Sequence, residues 1–373
     1  MIISRKDTTF SENDMDDTDF SPACRVCLIG TQPITDHVKA LENVAATAPD
    51  IPSWVQLPAL GEYMIPQFSH GLPGIVISPE KVYVDAKSPG FEDALLAFYQ
   101  EYLEVAGLES VPDPSRFALA PEIAPGFFEF AKRLESGALA PIAVKGQVTG
   151  PFTLATAVTD QDGRAIFYDE RLGDCAAKLI ALQTRWQVEK LAAAGLPVII
   201  FLDEPGLSGF GSSALISISR QAALSCLAEP IAAVHEIGEY CGIHVCGNTD
   251  WSLVLESGID IVNFDAFNFF EPFAAYGDSI RTFMKKGGII AWGIVPTADK
   301  NDIRNATVDS LYAHWERCVE KIAGLGLDRG LILENSLITP ACGLGSLDYD
   351  SAAKVLSLTR SLSERIRREN NIV

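Results

Sequence analysis

The residues of this chain best suited to chemistry are His244, Cys246 and Cys342. They stand in the strings Gly242-Ile243-His244-Val245-Cys246-Gly247-Asn248-Thr249-Asp250 and Leu337-Ile338-Thr339-Pro340-Ala341-Cys342-Gly343. One imidazole and two thiolates form a donor set that zinc favours, and three protein ligands leave a coordination position for a substrate. No close-spaced second ligand pair accompanies Cys342, so the pattern is not that of a zinc finger. The competing reading is a buried histidine and two unrelated structural cysteines. Zinc held in this way can bind and deprotonate an incoming thiol.

Other polar residues follow apolar runs in the same manner. Asp265, after Ile261-Val262-Asn263-Phe264, is a candidate fourth zinc ligand or else a helix N-cap. Asp203-Glu204-Pro205 closes the most apolar run of the chain. Adjacent carboxylates there point apart, so one of them is expected to face a site as base or substrate anchor. Lys145-Gly146-Gln147-Val148-Thr149-Gly150-Pro151 reads as a strand leading into a turn that allows close approach to a ligand. It lacks the Gly-Lys-Ser/Thr order of a phosphate loop, and Gly209-Phe210-Gly211-Ser212-Ser213 is no dinucleotide fingerprint. No serine occupies a nucleophile elbow. Cys24 and Cys27 are spaced as a C-x-x-C pair, but without a matching second pair they read as part of a strand. His37, His70, His235 and His314 lie on or near helical patterns and read as surface or satisfied core residues.

The elements that must position these groups alternate along the chain. Short apolar runs at Arg25–Ile29, Ile142–Lys145, Val198–Leu202, Ile243–Val245, Asp260–Phe264, Ile289–Trp292 and Gly330–Leu333 predict strands. Amphipathic stretches at Leu172–Ala194, Ser217–Tyr240, Ile303–Ala323 and Ser351–Arg368 predict helices. This alternation implies a parallel sheet flanked by helices. An eighth strand at Trp54–Leu57 or near Phe117–Leu119 would close a (β/α)8 barrel. The expected fold class is therefore α/β, a TIM barrel with an elaborated N-terminal region. Residues 1–20 read as a disordered acidic tail and 21–373 as one barrel domain. An insertion covers roughly 58–140, with a hairpin around Ile75–Val84 and two helices. In such barrels chemistry is built at the C-terminal ends of strands, where Lys145, Asp203, His244, Asp265 and Cys342 all fall.

With 373 residues, 48% of them hydrophobic, the chain can bury a large core. Its 29 basic and 49 acidic residues leave a formal charge of −20, which argues against nucleic acid and against an anionic membrane surface as partners. There is no apolar secretory segment near Met1 and no run long enough to span a bilayer. The expected location is cytoplasmic, where the eight cysteines point to metal or catalysis rather than disulfides. Cys175, Cys226, Cys241 and Cys318 read as small buried apolar residues.

From Lys145 to Cys342 the sequence resembles the catalytic barrel of cobalamin-independent methionine synthase. It is also similar to the methylcobalamin:coenzyme M methyltransferases of the uroporphyrinogen decarboxylase-like superfamily. Leu202-Asp203-Glu204-Pro205-Gly206-Leu207 matches an aspartate-glutamate-proline segment of the synthase. His244 and Cys246 match its first two zinc ligands, and Pro340-Ala341-Cys342-Gly343-Leu344 matches the segment of its last. Asp265 aligns with a glutamate ligand. His244-Val245-Cys246-Gly247-Asn248-Thr249 is closer still to the coenzyme M enzymes. Ile29-Gly30-Thr31-Gln32-Pro33 sits where the family has a turn that meets the amino acid backbone. The acidic residue that grips the homocysteine amine in the family falls on Pro58, with Glu62 the nearest substitute.

The resemblance implies a zinc-dependent S-methyltransferase acting on a small thiol such as homocysteine. Zinc would be held by His244, Cys246, Cys342 and Asp265. Asp203 and Glu204 would be the catalytic carboxylates, and Thr31, Gln56, Glu62, Lys145, Gln147 and Asn248 would line the substrate site. The synthase carries a second barrel that helps to bind its folate, and this chain has room for one. A methylcobalamin on a partner corrinoid protein is therefore the implied methyl donor, ahead of a methyl-folate. Two alternatives stand beside this reading. One is a decarboxylase of the uroporphyrinogen type, which uses arginines at the barrel mouth; strand-end arginines are scarce here. The other is a non-catalytic member that binds zinc, a thiol or a corrinoid.

Overall fold

The computed structural model describes residues 20–213 and 215–372, so the expected acidic tail lies, apart from Phe20, outside the described residues. In chain order the strands are β1 (Arg25–Val26), β2 (Ile75–Ile77), β3 (Val82–Val84), β4 (Val144–Thr149), β5 (Thr159–Asp160), β6 (Val198–Asp203), β7 (Tyr240–Val245), β8 (Ile261–Phe264), β9 (Ile289–Val295) and β10 (Ser336–Pro340). Seven of them form a parallel curled sheet in the order β1-β10-β9-β8-β7-β6-β4. Residues 52–56 bridge its two edges. Ser53 pairs in parallel with Lys145 and Gln56 with Thr31. The Lys145 amide donates to the Pro52 carbonyl at 2.9 Å, and the Gln56 amide to Gly30 at 2.8 Å. Of the two candidate eighth strands, the one beginning at Trp54 therefore closes the ring. Phe117 instead packs edge-on against Phe98 on an outer helix.

One predicted strand is corrected. Residues Gly330–Leu333 lie in a helix, Arg329–Glu334, whose N-terminus is capped by the Asp328 side chain accepting from the Leu331 amide. The strand follows at Ser336–Pro340, where two polar residues hid it. The Ser336 hydroxyl accepts from Trp292 Nε1 at 2.8 Å, and Thr339 Oγ1 accepts from Asn263 at 2.9 Å, so both are satisfied inside the fold. The predicted helix Ile303–Ala323 is likewise two, Lys300–Asn305 and Val308–Ala323. They are separated where Thr307 and Ser310 form a capping box.

Between the second barrel strand and β4 the chain supplies helices Met64–Ser69, Phe91–Ala106 and Pro125–Glu135 and the antiparallel β2–β3 hairpin. The hairpin is anchored by parallel pairing of β3 with β5, just beyond β4. Helix Pro125–Glu135 packs Phe127 on Trp54 and Trp186, with ring centroids 6.0 and 4.8 Å apart. Fully burying large side chains like these contributes roughly 1.5–3 kcal/mol each. The elaborated region is thus fastened to the barrel wall beside the segment that carries Gln56.

Side chains along a strand alternate between helix-facing and barrel-facing positions. The helix-facing set (Val148, Ile200, Leu202, Ile243, Val262, Ile290 and Ile338 among it) merges with the outer helices into one large apolar cluster. The barrel-facing set begins as a separate apolar plug that includes Ile199, Phe201, Ile261, Ile289, Ala291 and Leu337. Above the plug the interior turns polar, with Lys145, Gln147, Asn263 and Thr339 all buried. At the mouth stand Asp203 and His244. Apolar floor, polar middle and reactive mouth follow from two-residue steps along neighbouring strands.

Candidate metal centre

His244 is the penultimate residue of β7, and its register partner on β8 is Asn263. Their side chains rise from the same level of adjacent strands, and His244 Nδ1 is hydrogen-bonded to Asn263 Oδ1. The amide group of Asn263 donates in turn to the Ala291 carbonyl at 2.8 Å and to Thr339 Oγ1 at 2.9 Å. A carbonyl only accepts, so the Asn263 nitrogen must face Ala291 and its oxygen must face His244. Nδ1 therefore carries the ring proton, and Nε2 presents its lone pair. That Nε2 is buried and has no hydrogen-bond partner. Burial holds the imidazole neutral, lowering its pKa from 6.5 to about 4.

Cys246 follows β7 and Cys342 follows β10, each free and half-buried. The ligand atoms of His244, Cys246 and Cys342 all lie within 4.8 Å of one another. Interaction between the two neighbouring thiols pulls Cys246 below its ordinary value and, together with burial, pushes Cys342 up. An orphaned, oriented imidazole nitrogen beside two thiols is a donor set that fits zinc, with the outer partner Asn263 fixing the histidine tautomer. An unpaired buried polar atom is costly, and an ion coordinated there would remove that cost.

Asp265, the expected fourth ligand, lies outside this group. Its carboxylate caps helix Ala266–Ala274, accepting from the Asn268 amide at 2.9 Å and from Asn268 Nδ2 at 2.8 Å. Its charge still reaches Cys246, opposing thiolate formation.

The two carboxylates that end β6 divide as strand geometry requires. Asp203 lines a cavity of about 800 Å³ that also touches His244, Cys246 and Cys342. One of its oxygens, Oδ1, is buried without a partner. Burial pushes its pKa up to about 7, the Lys145 charge opposing and the nearby Cys246 reinforcing. Glu204, the other expected catalytic carboxylate, points the other way and is not part of the cavity wall. It accepts from the Phe152 amide at 3.0 Å, the Thr153 amide at 2.7 Å and Thr153 Oγ1 at 2.5 Å. These are the free amides at the start of helix Pro151–Ala157, so Glu204 fastens that helix to β6. It fits only because residue 150 is glycine; a Cβ there would collide with the carboxylate.

Of the expected lining residues, Thr31, Gln56 and Glu62 reach the cavity, as does Pro58. Lys145 and Gln147 do not. They occupy the polar middle of the barrel, where Lys145 Nζ donates to the Ile29 carbonyl at 2.6 Å and to Gln147 Oε1 at 3.1 Å. Its ammonium also sits over the Phe201 ring, 4.7 Å from the centroid, and burial lowers its pKa. Asn248 is likewise withdrawn, its Oδ1 accepting from Trp251 Nε1 at 3.2 Å. Glu62 is held on both sides: Oε1 is 2.6 Å from His37 Nε2, and Oε2 accepts from the Leu57 amide at 2.8 Å.

Sequence reasoning missed Asn263, Thr339 and His37. For Asn263 a signal existed: a lone amide in an apolar strand, two residues after Ile261 and so on the same barrel-facing side. The pairing of His37 with Glu62 had none, because it joins a helix to a distant loop. Cys24 and Cys27 are buried and free, and burial raises their thiols to about 12 and about 11. They have the character of core residues rather than reactive ones.

The fold and the triad define an α/β barrel with a His/Cys/Cys group at the C-terminal end of its strands. No protein-family model and no curated protein sequence matches the chain. Among solved structures it is similar to a methyltransferase from Methanosarcina mazei, 13% identical over 91% of this chain and 93% of that one, with a TM-score of 0.51. It is also similar to a B12-independent methionine synthase from Shewanella sp. W3-18-1 in complex with selenomethionine, 17% identical over 81% of this chain and 98% of that one, TM-score 0.46. A GH113 β-mannanase from Alicyclobacillus acidocaldarius aligns over 94% of this chain and 98% of its own, 11% identical, TM-score 0.40. The likeness to the Methanosarcina protein agrees with the barrel architecture described above. Among the described residues no helix is long and apolar enough to cross a membrane.

Proposed function

We propose that this chain is a zinc-dependent S-methyltransferase whose acceptor is a small thiol. The observation that carries the proposal is the oriented and unpartnered Nε2 of His244 beside Cys246 and Cys342 in the cavity wall. These three residues would hold zinc, leaving one position for the substrate. When bound there, the ion supplies Lewis acidity that makes a thiol ionise near neutral pH.

The chain's own residues do the rest. The S–H bond of the acceptor breaks, its sulfur pair forms the new bond to methyl, and the electron pair of the old methyl bond stays with the donor. Asp203 is a carboxylate of the cavity wall beside His244 and the two cysteines, and would hold the departing proton or a substrate amine. Asn263 keeps His244 in the metal-binding tautomer, and Thr31 and Gln56 shape the wall. A methylated corrinoid on a partner protein is the donor we favour over methyl-folate, since His244-Val245-Cys246-Gly247-Asn248-Thr249 resembles the methylcobalamin:coenzyme M enzymes more closely than the synthase. The decarboxylase alternative would need cations for its substrate acids, and among the described residues no arginine lines the cavity.

The test is methyl transfer from methylcobalamin to thiols, followed by loss of the cobalt–carbon absorbance. The wild-type protein should turn over, whereas Cys246→Ser should lose zinc and all transfer while keeping its circular dichroism. Full transfer by a metal-free Cys246→Ser protein would overturn the proposal.

A further inference from the structure

The cavity wall is one-sided in charge. Asp203 and Glu62 contribute to it, and among the described residues no lysine or arginine does. The cation beneath Asp203, Lys145, is sealed off, fully buried and donating to the Ile29 carbonyl and Gln147. The cation-capable group behind Glu62 is His37, whose Nε2 is taken by that carboxylate. At most these two balance their own neighbours, and neither reaches a ligand.

The uncharged part of the wall is largely apolar. Pro33, Pro58 and Pro205 form part of the wall, and proline has no N–H. The Gln56 side-chain nitrogen donates to Gln67 Oε1 at 2.6 Å and Thr31 Oγ1 accepts from the Gly345 amide at 3.1 Å, so the donors left in the wall are neutral, the hydroxyls of Thr31, Tyr63 and Ser346 among them. A metal ion would not reverse the balance, because its two positive charges are matched by the thiolates of Cys246 and Cys342. An acid group carried in by a substrate would be desolvated opposite carboxylates, without a cation to balance it. An ammonium would instead meet the carboxylate of Asp203 in the cavity wall.

We infer that the acceptor is a small thiol with an apolar body and no acid group, neutral or carrying an amine. This rests on the thiol-methyltransferase reading and narrows it. The experiment uses the cobalt(II)-loaded protein, whose sulfur-to-cobalt absorption reports thiol binding without turnover. It is titrated at one pH with 1-propanethiol, 3-aminopropane-1-thiol, homocysteine and 3-mercaptopropionate. The second and third differ only by a carboxylate, as do, in effect, the first and fourth. The acid-free member of each pair should bind at least about tenfold more tightly, the scale of one like charge a few ångströms away. Asp203→Asn should narrow the gap between propanethiol and mercaptopropionate. Equal or tighter binding of the acids would overturn this inference and leave the thiol reading standing. If cobalt binds but no thiol changes its spectrum, the thiol-acceptor reading fails with it.

Discussion

Replacing Asn263 by alanine should weaken zinc binding without touching a ligand. In the native structure the Asn263 oxygen holds the proton on His244 Nδ1, while its nitrogen is fixed by Ala291 and Thr339. Without that oxygen the imidazole can take either tautomer and rotate, and only one arrangement offers Nε2 to the metal. Loss of such an outer partner typically costs about 10–100-fold in metal affinity, or roughly 1.4–2.8 kcal/mol. The fold also loses stability, because the Ala291 carbonyl and Thr339 Oγ1 each lose a buried hydrogen bond, a penalty of about 1–3 kcal/mol. Asn263→Asp separates the two effects. It keeps an acceptor for Nδ1 but sets a second acceptor against the Ala291 carbonyl, so zinc affinity should be retained while unfolding comes earlier. Competition with a chromophoric chelator measures the first quantity and a denaturant titration the second. If folded Asn263→Ala binds zinc as tightly as the native protein, the orienting role of Asn263 is wrong.

The carboxylates of β6 should behave oppositely. Glu204→Ala leaves the Phe152 and Thr153 amides without their acceptor, which should cost about 3 kcal/mol or more in a denaturant titration while zinc stoichiometry holds. Asp203→Asn should leave stability nearly unchanged and raise the acceptor KM more than it lowers zinc content, in steady-state assays with zinc measured in parallel. The metal-free protein should also carry a pH signature of His244. Its folded pKa of about 4 lies below the unfolded value of 6.5, so the unfolded chain binds the extra proton between them. The stability this provides is complete above pH 6.5 and is lost as pH falls through 4, on the order of 3 kcal/mol in all. Asp203 and Glu204, both raised to about 7, act in the opposite direction. The readout is therefore the difference between native and His244→Gln stabilities, which should change across pH 4–6.5; a constant difference would refute a neutral buried His244.

Much of the barrel was legible because buried parallel strands are short, continuous apolar runs. Val198–Asp203 and Ile289–Val295 announce themselves in that way. Ser336–Pro340 did not, since its two hydroxyls find partners only across the closed barrel. The apolar run just before it is helical because Asp328 caps it. The second strand, around Trp54, was ambiguous: it makes few ladder bonds, and its place is set by two edges distant in sequence. At the site, His244, Cys246, Cys342 and Asp203 were readable from residue type and strand-end position. Strand position could not tell which of Asp203 and Glu204 faces inward, nor that Asn268 engages Asp265. Lys145 and Gln147 were placed one layer too high, since a strand end fixes direction but not depth within the barrel.

The most direct test of the account is the metal content of the purified protein beside a Cys342→Ser variant, by elemental analysis under reducing conditions. The account predicts about one zinc per chain, as the single His/Cys/Cys group found among the described residues would hold, and its loss in the variant. Absence of zinc from the native protein, even after reconstitution, would contradict it.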